Sequence, residues 1–200
     1  ATPEVCAQFE RRFGLNEPIP VQFAIYFGNI VRGDLGESSQ FGRPVTDLLA
    51  ERLPTTIELT LTAITFAVLV GIPLGIISAY KHNTFIDVIT MFGANIGVSM
   101  PVFWLGLMLS YIFSVAILNT PFEFLQLPPG RTPSIPFDQR FYAVWGLVES
   151  ANEVTPIMSF FSRFTLLNAI LALDLDLFVK SLRHLILPAI AVGTIPLSII

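Results

Sequence analysis

The chain has 200 residues, of which 53% are hydrophobic and 13% are charged, and its formal net charge is −4. Soluble domains carry about 25% charged residues, so this composition excludes an ordinary soluble domain. The acidic balance excludes a basic surface for nucleic acid, and the single cysteine, Cys6, excludes an internal disulfide. With a mean hydropathy of +0.69, the chain has the composition of a protein that lies in a lipid bilayer.

Residues 1–56 are polar enough to lie outside the hydrocarbon core, and they contain three short helical patterns. Thr2 followed by a proline predicts the start of the first helix, because a capping residue before proline is a common helix start. The second pattern begins after Pro18. The third opens at Pro44 and is predicted to stop at Pro54, since proline cannot continue the hydrogen-bond ladder.

The second of these patterns carries a stripe of apolar, mostly aromatic side chains. Such a stripe fits the membrane surface, where amphipathic rings are favoured. It fits packing against the rest of the protein equally well. Its members are Phe23, Tyr26, Phe27, Ile30 and Val31.

The first membrane-spanning helix is predicted from the run 59–80, which has 22 residues and no Asp, Glu, Lys or Arg. About 20 apolar residues suffice for a helix to cross the hydrocarbon core. Because the apolar residues are continuous rather than alternating, a helix is favoured over a barrel strand. We therefore predict a transmembrane helix over residues 57–80.

Glu58 lies at the start of this predicted helix. Thr55 and Glu58 have the Thr-x-x-Glu spacing of a capping box, which places both side chains at a helix N-terminus. The positive end of the helix dipole also favours an acid there. The preferred interpretation is therefore a helix cap, and the alternative is a functional acid inside the membrane.

The loop 81–87 is short, and Lys81 gives a weak indication of the cytoplasmic side, where positive residues are enriched. Thr84 and Asp87 repeat the helix start signal before the next apolar run. We predict a second transmembrane helix over residues 88–118, containing a Ser-x-Pro break.

Residues 119–183 separate the second apolar run from the third and open with a proline-rich, irregular stretch. A helix is predicted from apolar residues that recur at helical spacing, namely Phe141, Val144, Trp145 and Val148. Asp174 and Asp176 are interpreted as solvated turn residues rather than a catalytic carboxylate pair. The run 184–200 is predicted to start a further transmembrane helix.

Glycine and proline interrupt the predicted membrane helices. Proline removes a backbone donor and kinks a helix, and broken helices are frequent in transporters. Glycine lets helices approach closely, although both residues are also frequent in membrane helices generally. The candidates for a helix break or for helix packing are Gly71, Pro73, Gly75, Gly97, Gly106 and Pro188, and Gly93 is a further packing candidate.

The interiors of the apolar runs contain no Asp, Glu, Lys or Arg. Ion-coupled carriers and proton pumps usually need such a group at membrane depth, so a secondary transporter is disfavoured. The candidates for a translocation path are the polar residues Asn95, Ser99 and Ser110, together with Pro101. The alternative is that the polar side chains bond to the backbone or to a neighbouring helix.

Motifs for catalysis and nucleotide binding are absent from the sequence. There is no Gly-x-x-x-x-Gly-Lys-Ser/Thr for a P-loop, no His-Glu-x-x-His, no Gly-x-Ser-x-Gly and no Cys-x-x-Cys. We therefore predict no catalytic, cofactor-binding or metal-binding residue. The classes that remain are a transporter driven by an outside energy source, a secondary transporter, and a membrane enzyme or assembly scaffold.

An ordered set of motifs resembles one known family along most of the chain. These motifs are FGLNEP at 13–18, GDLG at 33–36, ERLPTTIEL at 51–59, GIPLG at 71–75, SMPVFWLG at 99–106 and LRHLILPA at 182–189. Together they resemble the B-type permease subunit of bacterial dipeptide/oligopeptide ABC importers. The stretch from 119 to about 164 matches least.

The resemblance implies an all-α, polytopic helical membrane protein in the bacterial plasma (inner) membrane, with the ABC importer permease fold in incomplete form. It implies a second homologous permease subunit, two cytoplasmic ATPase subunits that bind ATP and Mg, and an extracytoplasmic solute-binding protein. It also implies that residues 1–56 and 119–183 lie outside and 81–87 inside, and that transport proceeds by alternating access.

On this resemblance the chain is expected to be a fragment of a six-helix permease, lacking the first helix and the last two. The cytoplasmic loop that docks the ATPase would lie beyond Ile200. The transported solute stays open among a dipeptide, a longer peptide, a nickel chelate, an oligosaccharide and a glutathione-like compound.

Overall fold

The computed structural model describes residues 16–38, 40–130 and 133–200. The helix start predicted at Thr2 and the lone Cys6 lie outside these residues. The described residues are helices, turns and one two-stranded ladder, so the predicted all-α class is confirmed. The chain forms two compact units, one ending at Arg52 and the other comprising Leu53–Ile200.

The described part of the first unit contains helix α1, Ile19–Val31, which ends before Gly33 in a left-handed conformation (φ +81°). A two-residue ladder follows, with β1 (Glu37–Ser38) antiparallel to β2 (Arg43–Pro44). The aromatic side chains of α1 are exposed, and Phe23 retains 66% of its accessible surface. Of the predicted stripe, only Ile30 is half-buried among the described residues, and the other members are exposed.

Helix α2 runs without interruption from Val45 to Tyr80, over 36 residues. The prediction that a short helix stops at Pro54 is therefore wrong, and the helix also continues through Pro73. A proline costs about 3 kcal/mol in a helix interior. The long apolar run outweighs that cost, because in lipid its backbone groups have no partners outside a helix.

The turn after α2 is held by side chains. The Thr84 hydroxyl donates to the Lys81 carbonyl oxygen at 2.5 Å. The Asp87 carboxylate accepts from the Asn83 backbone N–H at 2.9 Å and from the Ser78 hydroxyl. The predicted helix start at Thr84 is confirmed, but Asp87 ties the turn back to the end of α2.

Helix α3 (Phe85–Ser99) and helix α4 (Val102–Tyr111) meet at an angle of 107°. Met100 and Pro101 have extended backbones between them, with ψ of 133° and 129°. A residue before proline is pushed out of the helical region by the pyrrolidine ring. The Ser-x-Pro pattern therefore corresponds to this bend, and α4 continues beyond it as a π-helical turn, Ile112–Ala116.

Residues 119–174, here called the connecting segment, contain short helices α5 (Phe141–Val144), α6 (Pro156–Ser162) and α7 (Thr165–Leu171). Three 3₁₀ turns accompany them, at Glu123–Leu125, Phe137–Gln139 and Ala151–Glu153. Helix α5 is a single turn, shorter than the predicted pattern, because Gly146 takes a left-handed conformation (φ +65°).

Helix α8, Leu175–Ile199, is the centre of the second unit and packs against α3, α4 and α7. It continues through Pro188. Asp174 caps its N-terminus by accepting from the Leu177 N–H at 2.9 Å, and Asp176 lies in the first turn of the helix. The interpretation of both as solvated turn residues is therefore wrong, because the apolar pattern of α8 extends to Leu175. By length and composition, α2 and α8 are long and apolar enough to cross a membrane, and the bent pair of α3 and α4 makes a third span if it is counted as one.

Candidate functional site

Glycine brings α8 close to its neighbours at three places, here called the glycine interface. A Cβ at Gly193 would lie 2.9 Å from the Ala63 carbonyl oxygen of α2. A Cβ at Gly97 of α3 would lie 3.4 Å from the Thr194 side chain, and one at Gly106 of α4 would lie 3.6 Å from Ala191. Small residues permit such close approach between membrane helices, where dispersion and packing replace the hydrophobic effect.

The other packing candidates differ in how closely they are approached. A Cβ at Gly71 would meet Ile200 at 3.4 Å, and one at Gly75 would lie 3.8 Å from the Ile200 carbonyl oxygen. Gly93 has nothing within 4 Å among the described residues. Pro73 is exposed, and the ring of Pro188 lies 3.0 Å from where a Cβ of Gly130 would stand.

An apolar cavity of about 340 Å³ opens beside this interface, between α2, α3 and the end of α8. Gly71 and Gly75 line it on one side. The hydroxyls of Thr90 and Ser198, which also line it, bond to backbone carbonyls of their own helices at 2.9 and 2.7 Å. The cavity therefore offers apolar contact rather than hydrogen bonds.

The translocation-path candidates lie along α3 and α4. Asn95, Ser99 and Pro101 are exposed, and Ser110 is half-buried. The Ser99 hydroxyl donates to the Asn95 carbonyl oxygen at 2.7 Å, within its own helix. Three of these residues cluster at the bend, and Ser110 lies further along α4. Their role in a path stays a prediction.

Glu58 is 6% exposed, and it is the only Asp, Glu, Lys or Arg among the described residues that is buried. Its Oε2 accepts from the Thr165 hydroxyl at 2.9 Å. Its Oε1 accepts from the backbone N–H groups of Leu166 at 2.8 Å and Leu167 at 3.4 Å. The predicted capping box with Thr55 is therefore wrong, because Glu58 caps α7 and not its own helix.

The structures of α2 and α7 explain why Glu58 caps α7 and not its own helix. Around Glu58, α2 is already helical, so the N–H groups there bond to carbonyls one turn earlier and need no cap. Helix α7 has Phe164 at its N-cap position, and a phenyl ring has no oxygen that could cap the free N–H groups. Glu58 supplies the missing acceptor, and the positive end of the α7 dipole favours its charge.

Helix α7 is in turn bonded to the rest of the connecting segment. Asn168 is 0% exposed. Its Oδ1 accepts from the Phe141 N–H at 2.9 Å, and its Nδ2 donates to the Gln139 carbonyl oxygen at 3.1 Å. The Trp145 indole donates to the Leu171 carbonyl oxygen at 2.8 Å, at the C-terminal end of α7.

Replacing Asn168 with alanine is expected to destabilise the connecting segment by about 2 kcal/mol, because it removes two part-buried hydrogen bonds. The measurement is the thermal unfolding midpoint of the full-length protein in detergent. Asn152→Ala, an exposed asparagine of the same segment, is the control and should leave the midpoint unchanged. Equal midpoints for the two variants would contradict the prediction.

A second cavity, of about 260 Å³, lies where α8 begins and is lined by Lys180, Arg183 and His184 together with Gln126 and Pro128. Arg183 donates to the Gln126 carbonyl oxygen at 2.6 Å, which ties the start of the connecting segment to α8. The Lys180 ammonium pairs with Asp176 at 2.5 Å, so part of the positive charge here is balanced.

Within residues 16–38, 40–130 and 133–200, no three His, Cys, Asp or Glu side chains come together as a metal site. The candidate site is a packing and positioning arrangement. It consists of the glycine interface, the bend and the Glu58 contact.

Residues 71–200, which contain the bend and most of the glycine interface, match the family described as binding-protein-dependent transport system inner membrane component. The chain belongs to this family. The family match confirms the resemblance that the sequence motifs indicated.

Curated relatives of this family member are peptide permeases. The dipeptide transport system permease protein DppB of Alkalihalophilus pseudofirmus is 37% identical over 200 residues, all of this chain and 52% of the relative. The di/tripeptide permease protein DppB of Pseudomonas aeruginosa is 34% identical over 99% of this chain and 51% of the relative. The probable D,D-dipeptide permease protein DdpB of Escherichia coli K12 is 33% identical over the whole chain and 52% of the relative. The chain thus spans about half the length of the curated relatives it matches.

Sequence reasoning missed Gly193 and its contact residue Ala63. Gly193 was not among the packing candidates, although Ala189 and Gly193 have the small-x-x-x-small spacing of close helix contacts. On α2, Ala63, Ala67 and Gly71 repeat at the same spacing, and all three are buried. This four-residue repeat is the signal that would have located the α2–α8 contact.

Proposed function

We propose that this chain is part of the transmembrane permease subunit of an ABC importer that carries peptides across the bacterial inner membrane. The observation that carries the proposal is identity of 33–37% along the whole chain to permeases whose names specify dipeptides or di- and tripeptides. Helices fit to cross a membrane support it, as do membrane runs without acids or bases in their interiors.

The energy for transport comes from other subunits in this proposal. The 200 residues carry no P-loop motif, so two ATPase subunits would bind ATP and Mg on the cytoplasmic side. A second homologous permease would complete the pore, and an extracytoplasmic solute-binding protein would deliver the peptide. This chain would bind no cofactor and catalyse no reaction.

The mechanism is alternating access through relative motion of the packed helices. Contacts at Gly97, Gly106 and Gly193 bring neighbouring helices close together through residues without side chains, so these helices could shift with few rotamer changes. The bend at Met100 and Pro101 leaves backbone groups outside a regular helix, and such groups can line a path for a polar solute. Asn95, Ser99 and Ser110 would add polar side chains to that path.

The connecting segment and residues 1–56 would lie outside and dock the binding protein. A peptide is polar but nearly neutral overall, so small polar groups and backbone carbonyls are a suitable lining. Recognition of one peptide over another would then rest largely on the binding protein.

The test is uptake of a labelled dipeptide into vesicles that contain the full-length permease with its partner permease and ATPases. We expect accumulation that needs both ATP on the ATPase side and the loaded binding protein on the other side. Uptake driven by an ion gradient without ATP would contradict the proposal and favour a secondary transporter. Competition by tripeptides, a nickel chelate, an oligosaccharide and glutathione would define the solute.

A further inference from the structure

We propose that Glu58 is a positioning residue that holds the connecting segment on α2, so that the two move as one rigid body during the transport cycle. This inference rests on the proposed function, because it concerns how a transporter moves. It assigns a role to the one buried charged side chain of the described residues, which neither the family match nor the names of the relatives explain.

The first argument is the directionality of the contact. Three donors from one helix end converge on one carboxylate, at 2.9, 2.8 and 3.4 Å. Hydrogen bonds to a charged acceptor are shorter and stronger than neutral ones. Apolar contact between helices has no comparable preferred direction, so the Glu58 contact is what specifies the position of α7 relative to α2.

The second argument is the burial of the contact. Glu58 is 6% exposed, and Thr165 is also 6% exposed. Water is therefore excluded from the contact while α7 is in place, and breaking the contact would deprive a buried carboxylate of its partners. Within the described part of the chain, the side-chain oxygens of Glu58 accept only from the N-terminus of α7.

The third argument is that α7 carries the rest of the segment with it. Asn168 in its middle bonds to Gln139 and Phe141, and Trp145 bonds to its last turn. A displacement of α2 at Glu58 is thereby transmitted from α7 to residues 139–145. In the proposed function these residues belong to the docking surface for the binding protein.

The fourth argument is the position of Glu58 beside the glycine interface. Ala63, which faces Gly193, lies five residues further along α2, about 7.5 Å along the helix axis. On one side of Glu58, α2 thus meets α8 through small residues that permit sliding. At Glu58 itself the contact is directional, so a shift of α2 along α8 would take the connecting segment with it.

The experiment measures the distance between nitroxide labels at Leu61→Cys on α2 and Ile170→Cys on α7, both exposed sites. The protein is the full-length permease in its assembled complex, in a Cys6→Ser background. Double electron–electron resonance should give one narrow distance, equal in the nucleotide-free state and in the state trapped with ATP and vanadate. A distance that changes between the two states would overturn the proposal without any further variant.

Two substitutions of Glu58 separate its possible roles. Glu58→Ala removes all three bonds and should broaden the distance distribution. Glu58→Gln keeps an acceptor for the backbone N–H groups and can donate to the Thr165 hydroxyl, so it should preserve the narrow distance. The matched control is Glu51→Ala, an exposed glutamate of the same helix. A narrow distribution in Glu58→Ala would overturn the proposal.

ATP hydrolysis gives an independent readout. In Glu58→Ala, stimulation by the loaded binding protein should fall at least about fivefold, as expected for the loss of a coupling free energy. The basal rate should stay at the wild-type value, because the ATPase subunits are untouched. Unchanged stimulation in Glu58→Ala would contradict the inference, whereas absence of stimulation in the wild type would contradict the proposed function itself.

Discussion

Replacing Gly193 with alanine is expected to disrupt the folded permease more than any other single-methyl addition among the described glycines. The added carbon would stand 2.9 Å from the backbone carbonyl oxygen of Ala63 and 3.0 Å from the Phe66 ring. A backbone atom cannot rotate away, so α2 and α8 must separate. Overpacking of this kind costs about 1–3 kcal/mol, and Gly193→Leu should cost more.

The measurement is the yield and the thermal midpoint of the assembled full-length permease on size-exclusion chromatography in detergent. Gly93→Ala is the matched control, since it makes the same chemical change in a membrane helix where nothing lies within 4 Å. It should behave as the wild type. If both variants assembled with equal yield and midpoint, the close contact between α2 and α8 would be refuted.

Replacing Pro101 with alanine is expected to lower peptide uptake at least about tenfold, the effect of roughly 1.4 kcal/mol on a barrier. The ring of Pro101 keeps Met100 out of the helical region, with ψ at 133°. Without the ring, α3 and α4 can join into one helix and straighten the 107° bend. The backbone groups that the bend exposes would then be bonded within the helix.

The geometry of this variant can be measured directly. In a straight helix the Cα atoms of Val88 and Leu107 would be about 28 Å apart, and labels at these two exposed sites should move apart when Pro101 is replaced. Pro73→Ala is the control, because α2 continues through Pro73 as a helix, and it should retain most of the uptake. A Pro101→Ala variant with wild-type uptake and unchanged label distance would show that the tertiary contacts, not proline, impose the bend.

The sequence predicted correctly several features that depend on residues close together in the chain. Continuous apolar runs predicted helices, and Thr84 marked the start of α3. Pro54 shows the limit of local rules, because the helix continues through it. Proline adds a free-energy cost to a helix interior. Whether the helix ends there depends on how much free energy the flanking residues gain by remaining helical.

The partner of Glu58 could not be read from the sequence for a different reason. Thr55 and Glu58 have the spacing of a capping box, and that local pattern was sufficient to suggest a local contact. The actual donors are 107 to 109 residues away. Spacing rules describe neighbours on one helix, so they say nothing about a second helix brought near by the fold.

The glycine candidates illustrate the same limit. The sequence offered Gly93 and Gly97 as equally good candidates for helix packing, but of these two only Gly97 faces α8. The rotation of a helix about its axis is set by everything packed around it, which one sequence window does not contain. Gly193 lies in the run 184–200, from which only a helix start was predicted. The small-x-x-x-small spacing of Ala189 and Gly193 on one face of that helix was not used.

The long separation between Glu58 and Thr165 also bears on how the protein is made. Ribosomes add about 5–20 residues per second, so the carboxylate emerges about 5–20 s before the residue 107 positions later that will bond to it. During that interval we expect Glu58 to stay hydrated at the membrane surface, because an unpaired acid is costly in lipid. Insertion of α2 would then pause with this end in water, and synthesis of α7 would complete its burial.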